Sequence, residues 1–571
     1  MKQKIRKNLF DPSNPRSIKH RGQMTKNRTI LIGIIALLII AAGAYFWANA
    51  QMDGLYNYRS LLRETPPEPA EPFDWAQDDP LTERIVFILV DALRNDTSRN
   101  ADVMPYLNEL RTQSAWATSH SREPSYSAPG YSTIGVGAWS HLNDGPVFNL
   151  EYEDIPTWTQ DNLFSAVHRA GLKTAVSGYD WFEKLIPQDA VDASFYTPEY
   201  DAAADVAVMD AALPWIESGD YDFIFIHLDQ VDTAGHDHGA DSPEWDAAAS
   251  QVDDHIREIV SHLDLGQDTV FITSDHGQID AGGHGGGESV VLTEPFVLIG
   301  AGVNPGEYPD TQMIDIAPTL AVLLGANIPA TAQGAVLTDM LTLTPEQKAA
   351  VDAALEAQKR QLHSAYVNVI GEELPIREDM GIVDGTNFAI DAMLLTQVDK
   401  YRRMRFAFPS GIVLFTLYGV FRYWNKKLAT LVGGAVAYVV LFNIYYAFIA
   451  GRVYSFSTIG SENGWILFNA TAAVVIMSIV WIVVMQRLNA FKEDAQDAAE
   501  NTLYLIGATL YLWLLPVLWN YSVNDFVSGW FVPELSTLFI GILALIQIIS
   551  IAVVGVLLIG VAALVTRKTS T

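Results

Sequence analysis

The sequence predicts an α/β fold: a mostly parallel sheet flanked by helices, joined to an N-terminal transmembrane helix and a C-terminal five-helix transmembrane bundle. Three observations predict it. Between residues 83 and 345, short β-branched and aromatic runs alternate with longer amphipathic stretches. One apolar run lies near the N-terminus and five more lie past residue 400. Charge is partitioned to match: residues 49–400 hold 58 acids and 16 bases, a net of −42, whereas the first 28 residues carry nine Lys or Arg and one acid, Asp11. A chain that is 50% hydrophobic and 18% charged is neither disordered nor collagen-like. So acidic a middle segment repels phosphate backbones, which excludes non-specific nucleic-acid binding. With no Cys, disulfides, thiolate metal sites and a cysteine nucleophile are excluded as well.

In chain order, residues 1–29 read as a basic cytoplasmic tail and 30–48 as a transmembrane helix, because Ile30 to Trp47 is uncharged and nearly long enough to span a bilayer. Ala48-Asn49-Ala50 has the form of a signal-peptide cleavage site, but the basic region before it is too long for a signal peptide. Residues 49–82, with Pro66, Pro67, Pro69, Pro72 and Pro80, read as an extended linker. An outer catalytic domain is expected over 83–345, with strands near Ile85–Val90, Thr174–Ser177, Phe223–Leu228, Val270–Thr273 and Phe296–Ile299. A helical connector follows over 346–405, then five spans over 406–565 and a cytoplasmic tail over 566–571. Six spans and the bases Arg422, Lys426, Lys427, Arg487, Lys492, Arg567 and Lys568 put both termini in the cytoplasm of a multi-pass plasma-membrane protein, with the acidic segment outside. Lys400, Arg402, Arg403 and Arg405 depart from this rule and are expected to snorkel or meet lipid phosphates.

In an open α/β sheet the ligand site lies beyond the carboxyl ends of the strands. Here the first strand runs into Asp91, the Phe223–Leu228 strand into Asp229, Asp232, Gly235 and His236, and the Val270–Thr273 strand into Asp275-His276-Gly277 and then Gly283-His284-Gly285-Gly286. A lone Asp at a strand end is most often a helix cap, but the set as a whole suits two oxygen- and imidazole-bound ions such as Zn or Mn. Asp232, His236 and His284 serve one ion; Asp91, Asp275 and His276 serve the other, with a nucleophile oxygen as seventh ligand. His238, His255 and His262 lie in or beside a helical stretch and are left out. Pro124 to Gly137 offers the nucleophile, where Pro129 suits a first helical turn and leaves Ser127 at the helix mouth; Ser125 and Thr133 are its rivals, and a plain N-cap is the alternative role.

Val-Asp91-Ala-Leu-Arg, Asp232-x-x-Gly-His236-x-x-Gly, Ser-Asp275-His276-Gly with Gly-His284-Gly-Gly, and Asp315-Ile-Ala-Pro318-Thr319 stand in the order found in the alkaline phosphatase superfamily, which the chain resembles over roughly residues 83–340. Its type I phosphodiesterase/nucleotide pyrophosphatase branch and the membrane ethanolamine phosphate transferases of glycolipid-anchor assembly are the most similar. The resemblance implies an alkaline-phosphatase-like fold, the same metal assignments, Ser127 as nucleophile and metal ligand, and Asn149 as a phosphate-oxygen donor. Ser127-Ala-Pro129 also begins the sulfatase signature, but Tyr131 stands where that signature needs Arg. The expectation is a membrane-anchored two-metal phosphoric ester hydrolase acting through a phosphoserine. Transfer of phosphoethanolamine or another phospho group to a lipid or lipid-linked glycan is the alternative, and a non-catalytic scaffold stands third.

Overall fold

A computed structural model describes residues 15–77, 80–492, 494–527 and 529–568. Lys2, Lys4, Arg6 and Lys7 of the basic tail lie outside the described residues, as do 569–571. The sheet has nine strands: β1 (Arg84–Val90), β2 (Ala115–His120), β3 (Thr174–Tyr179), β4 (Ala193–Thr197), β5 (Phe223–Leu228), β6 (Asp268–Thr273), β7 (Thr293–Gly300), β8 (Gly306–Glu307) and β9 (Thr311–Gln312). Their order is β4-β3-β5-β1-β6-β7-β2-β8, with β9 on β2. β4, β3, β5, β1 and β6 are mutually parallel, whereas β7 runs antiparallel to both β6 and β2. β1 and β5 are apolar on both faces, as a sheet covered on both sides requires.

One face packs Phe87, Phe225 and Phe271 against the helix Ile316–Leu323 and its surroundings. The other packs Ile88, Ile226 and Ile272 against the helices Ala202–Ser218 and Pro243–Ser261. The segment expected as a connector is also part of this core. Val351, Leu355, Leu362 and Tyr366 of the helix Pro345–Ile370 are buried with Ile390 and Met393.

Among the described residues, six helices are long and apolar enough to cross a membrane: Thr25–Tyr56, Ile382–Arg422, Lys426–Ile449, Glu462–Arg487, Ala495–Asn524 and Leu535–Val565. The chain is a multi-pass membrane protein. Lys26 at the start of the first span pairs with Asp497 at the start of the fifth, while Trp47 near its other end stacks on Phe526 at 4.9 Å. Lys26, Lys427, Arg487 and Lys492 therefore share one side of the bundle, and the sheet lies on the other. Of the four aberrant bases, Arg405 forms an ion pair with Asp525 at 2.7 Å and Arg402 one with Asp399 at 3.2 Å, so partners within the chain hold them.

The expected linker is anchored rather than free. The first helix continues to Tyr56, Leu62 is fully buried, and Arg59 grips Asp144 with Nε at 2.9 Å and Nη2 at 2.5 Å. Proline and charge in this segment masked those few apolar anchors.

Lys359 is buried in the helix Pro345–Ile370, and its Nζ donates to the carbonyls of Ala332 at 2.7 Å and Gly334 at 2.8 Å. Burial pulls its pKa down to about 7, against the opposing charge of Asp315. Between about pH 7 and the unfolded value near 10.5, the unfolded chain holds a proton that the folded chain does not. Stability therefore rises with pH across that window, by about 2 kcal/mol between pH 7 and 9. Thermal melting at those two pH values is expected to show this rise in the wild type and its loss in Lys359→Met. An unchanged slope in the variant would assign the pH dependence elsewhere.

Candidate active site

β5, β1 and β6 are neighbours, so their carboxyl ends deliver three acidic loops to one place. Val90 leads into Asp91 and then Ala92, a non-glycine residue at φ +61°. That left-handed turn costs about 1 kcal/mol, and it points the Ala92 N–H at Asp275 Oδ1, 3.2 Å away. Beyond β5, the helix Gln230–His238 carries Asp232 and His236 four residues apart on one face. Beyond β6, Asp275 and His276 precede the glycine loop that returns His284.

Two clusters result. Asp232, His236 and His284 converge, with Asp232 Oδ2 3.4 Å from His236 Nε2, Asp232 Oδ1 3.6 Å from His284 Nε2, and the two imidazole Nε2 atoms 3.1 Å apart. Asp91, Asp275 and His276 form the second, with His276 Nε2 3.5 Å from Asp91 Oδ1 and 3.3 Å from Asp275 Oδ2. The rings of His276 and His284 stack at 3.8 Å, which joins the clusters. Ser127 Oγ stands 3.2 Å from His276 Nε2, at the first position of the buried helix Ser127–Val136. Of its rivals, Ser125 spends its hydroxyl on the Gly286 carbonyl at 2.7 Å, and Thr133 lies well inside the helix. Asn149 Oδ1 accepts the Ala128 N–H at 3.0 Å, which leaves its NH2 group to donate beside Ser127. The nucleophile helix reaches this depth because position 130 is glycine: a Cβ there would lie 2.9 Å from Asp275.

The donor set fits divalent cations. His276 Nδ1–H donates to the Gly277 carbonyl and His284 Nδ1–H to the Ser125 carbonyl, each at 3.1 Å, so both rings present a bare Nε2 to the clusters. Asp91 Oδ1 and Asp275 Oδ2 are buried and have no hydrogen-bond partner. Burial and then the Asp91 charge push Asp275 well above the usual carboxylate range. Burial raises Asp232 too, against the pull of His236. For His284, burial and the neighbouring His276 and His236 pull the imidazole well below its ordinary value. For Asp91, burial is outweighed by the hydrogen bond from His227 and the charge of His276, and its carboxyl falls below the ordinary value. Carboxyls held up by burial and by neighbouring charge, beside the His284 imidazole that resists protonation, are short of positive charge, and a divalent ion in each cluster would supply it.

Three residues around this set escape sequence reasoning. His227, buried in the apolar run of β5, places Nε2 3.1 Å from Asp91 Oδ2 and with Asp229 forms a third group around Asp91. Tyr131, the residue that breaks the sulfatase signature, donates its hydroxyl to Asp91 Oδ2 and lies 3.0 Å from His227 Nε2. Gln278 donates to Asp232 Oδ1 at 2.5 Å and accepts the Gly283 N–H at 3.2 Å, tying the two halves of the first cluster together. A histidine inside the string Phe-Ile-Phe-Ile-His-Leu was the one available signal, since a buried strand rarely holds an imidazole without a partner. Of the histidines left out, His255 stays within the helix Pro243–Ser261 and His262 at its end pairs with Glu217.

Residues 85–297 match the model of the type I phosphodiesterase / nucleotide pyrophosphatase family. The chain is 27% identical over 219 residues to the human GPI ethanolamine phosphate transferase 3, catalytic subunit, covering 37% of this chain and 20% of that protein. It is 28% identical over 328 residues to the mouse GPI ethanolamine phosphate transferase 1, covering 45% of this chain and 32% of the relative. The chain thus spans about a fifth to a third of the length of these curated relatives. Among solved structures, murine ectonucleotide pyrophosphatase / phosphodiesterase 5 aligns over 45% of this chain and all of its own, at 14% identity and a TM-score of 0.40. The motifs at the ends of β1, β5 and β6 and the matched residues 85–297 support an alkaline-phosphatase-like assignment for this chain's α/β region, which is similar to the type I phosphodiesterase / nucleotide pyrophosphatase family.

Proposed function

We propose that the chain transfers a phospho group from a phosphodiester donor to an alcohol acceptor, through a covalent intermediate on Ser127. The observation that carries this reading is Ser127 Oγ at a helix N-terminus, 3.2 Å from His276, between two clusters that could each hold a cation. Asp232, His236 and His284 hold one ion; Asp91, Asp275, His276 and Ser127 hold the other, with Zn the first candidate and Mn the second. When bound, the pair supplies a Lewis-acid clamp on the attacking and leaving oxygens. The chain's own part is to aim Ser127 in line with phosphorus, while the Asn149 NH2 and the helix N-terminus face the negative phosphate oxygens. In the first step an oxygen–phosphorus bond to Ser127 forms as the donor ester bond breaks. In the second, an acceptor hydroxyl takes the phospho group and frees Ser127.

An alcohol is favoured over water as the acceptor because the similar proteins are ethanolamine phosphate transferases. Phosphoethanolamine, with a lipid or lipid-linked glycan as acceptor, is accordingly the group of choice. The catalytic part at 83–345, the extracytoplasmic placement of the site and the cytoplasmic placement of the basic helix ends belong to the same proposal, supported by the shared side of Lys26, Lys427 and Arg487. A phosphoethanolamine lipid labelled in the ethanolamine, supplied in membranes, decides between the fates. Label in a new lipid or glycan supports transfer, whereas release of soluble phosphoethanolamine alone means hydrolysis.

A further inference from the structure

The loop between the third and fourth spans rises from the bundle and meets the His284 loop. Ser455 Oγ donates to Glu288 Oε1, and Ser457 Oγ donates to Glu288 Oε2 at 2.7 Å, so both carboxylate oxygens are held by the bundle. The Gly286 N–H in turn donates to Ser457 Oγ at 3.0 Å. Gly283, at φ +109°, lies so close under the Ser457 carbonyl that a Cβ would stand 2.3 Å from that oxygen. On its other side the same loop is gripped by Ser125, whose Oγ accepts the Gly285 N–H at 3.1 Å and whose carbonyl orients His284 Nδ1. Between its two serines, Phe456 packs on Phe148 at 5.3 Å; Phe148 lies 4.7 Å from Tyr126, and Tyr126 meets the His284 ring edge-on at 5.4 Å. The His284 loop is thus clasped between the nucleophile segment and the membrane bundle.

We propose that Glu288 is a positioning residue through which Ser455 and Ser457 of the bundle's loop set His284, so that the cation affinity of the Asp232–His236–His284 cluster depends on the segment joining the third and fourth spans. The inference rests on the two-cation reading of the site. His284 joins the cluster from a glycine-rich loop that has little rigidity of its own, so the entropy of fixing its imidazole is met by contacts on either side of it. The cluster at Asp91, Asp275 and His276 draws all three ligands from directly beyond β1 and β6 and needs no such support.

The test titrates the full-length protein in detergent with Zn alone, using calorimetry to resolve the two ions, and follows amide exchange across 283–288. In Glu288→Ala and in the Ser455→Ala/Ser457→Ala double variant, one ion is expected to bind at least about tenfold more weakly. The other ion keeps its affinity, exchange at Gly286 speeds up, and Glu288→Gln, which retains an accepting oxygen, recovers much of the loss. The melting temperature of each variant reports folding; Ser455→Ala alone, which leaves the Ser457 bonds in place, is the milder substitute if the double variant unfolds. Two unchanged affinities in the double variant overturn the proposal. Equal weakening of both ions overturns it too, as a general loss of structure rather than positioning. A wild type that binds no Zn overturns the two-cation reading on which the proposal stands.

Discussion

Ser127→Ala is expected to lower turnover by at least about a thousandfold while both cations still bind, because it removes the atom that accepts the phospho group and little else. Ser127 is buried at the helix start, and its Oγ contacts His276 Nε2. The Tyr126 carbonyl still receives the Gly130 N–H and Asn149 still receives the Ala128 N–H, so an alanine leaves the helix mouth intact. The cost to folding is therefore a fraction of the roughly 1 kcal/mol typical of losing one side-chain hydrogen bond. Measured turnover with a phosphodiester substrate, alongside the metal content of the same preparation, checks both halves. Retained turnover removes Ser127 from the chemistry; lost metal with lost turnover makes it a structural ligand first.

Asp275→Asn and His236→Ala are each expected to lose one of the two cations and nearly all activity, whereas His255→Ala loses neither. Asp275 sits at the end of β6 with Oδ2 unpartnered and Oδ1 taking the Ala92 N–H, so an amide at this position presents a weaker and partly misdirected donor to the cation. His236 projects from the helix after β5 toward Asp232 and His284, and without it that cluster keeps only two of its three candidate ligands. His255 lies in the helix Pro243–Ser261, away from both clusters. Elemental analysis of the three purified variants separates them: one ion, one ion and two ions. Equal stoichiometry in all three contradicts the ligand assignment.

The strand ends were legible in the sequence because the middles of β1, β5 and β6 (Ile85–Val90, Phe223–Ile226 and Val270–Ile272) are apolar on both faces, so the polar residues that follow each run mark the carboxyl edge of the sheet. Asp232 and His236 were legible as polar residues just beyond the Phe223–Leu228 run, and the helix Gln230–His238 then puts both on one side. The spans were legible by length and lack of charge, although the helices extend past the apolar runs at both ends: the run from Ile30 to Trp47 sits inside a helix that reaches Tyr56. β2 was not legible, since Ala-Trp-Ala-Thr-Ser-His alternates without a β-branched run, and it forms because β7 offers an antiparallel edge. Tyr131 and Gln278 were hidden because their roles depend on which strand ends become neighbours, which local pattern does not encode. The contact of Ser455 and Ser457, from the loop between the third and fourth spans, with the His284 loop was not legible either, because it follows from how the bundle packs rather than from any motif.

The most direct test of the account is to mix the full-length protein with a phosphodiester donor and a divalent ion, quench in acid, and measure the masses of its peptides. The account predicts that the peptide containing Ser127 carries the added phospho group, that an alcohol acceptor discharges it, and that Ser127→Ala shows no adduct anywhere. Turnover with no adduct on that peptide, or an adduct on a different residue in the wild type, contradicts it.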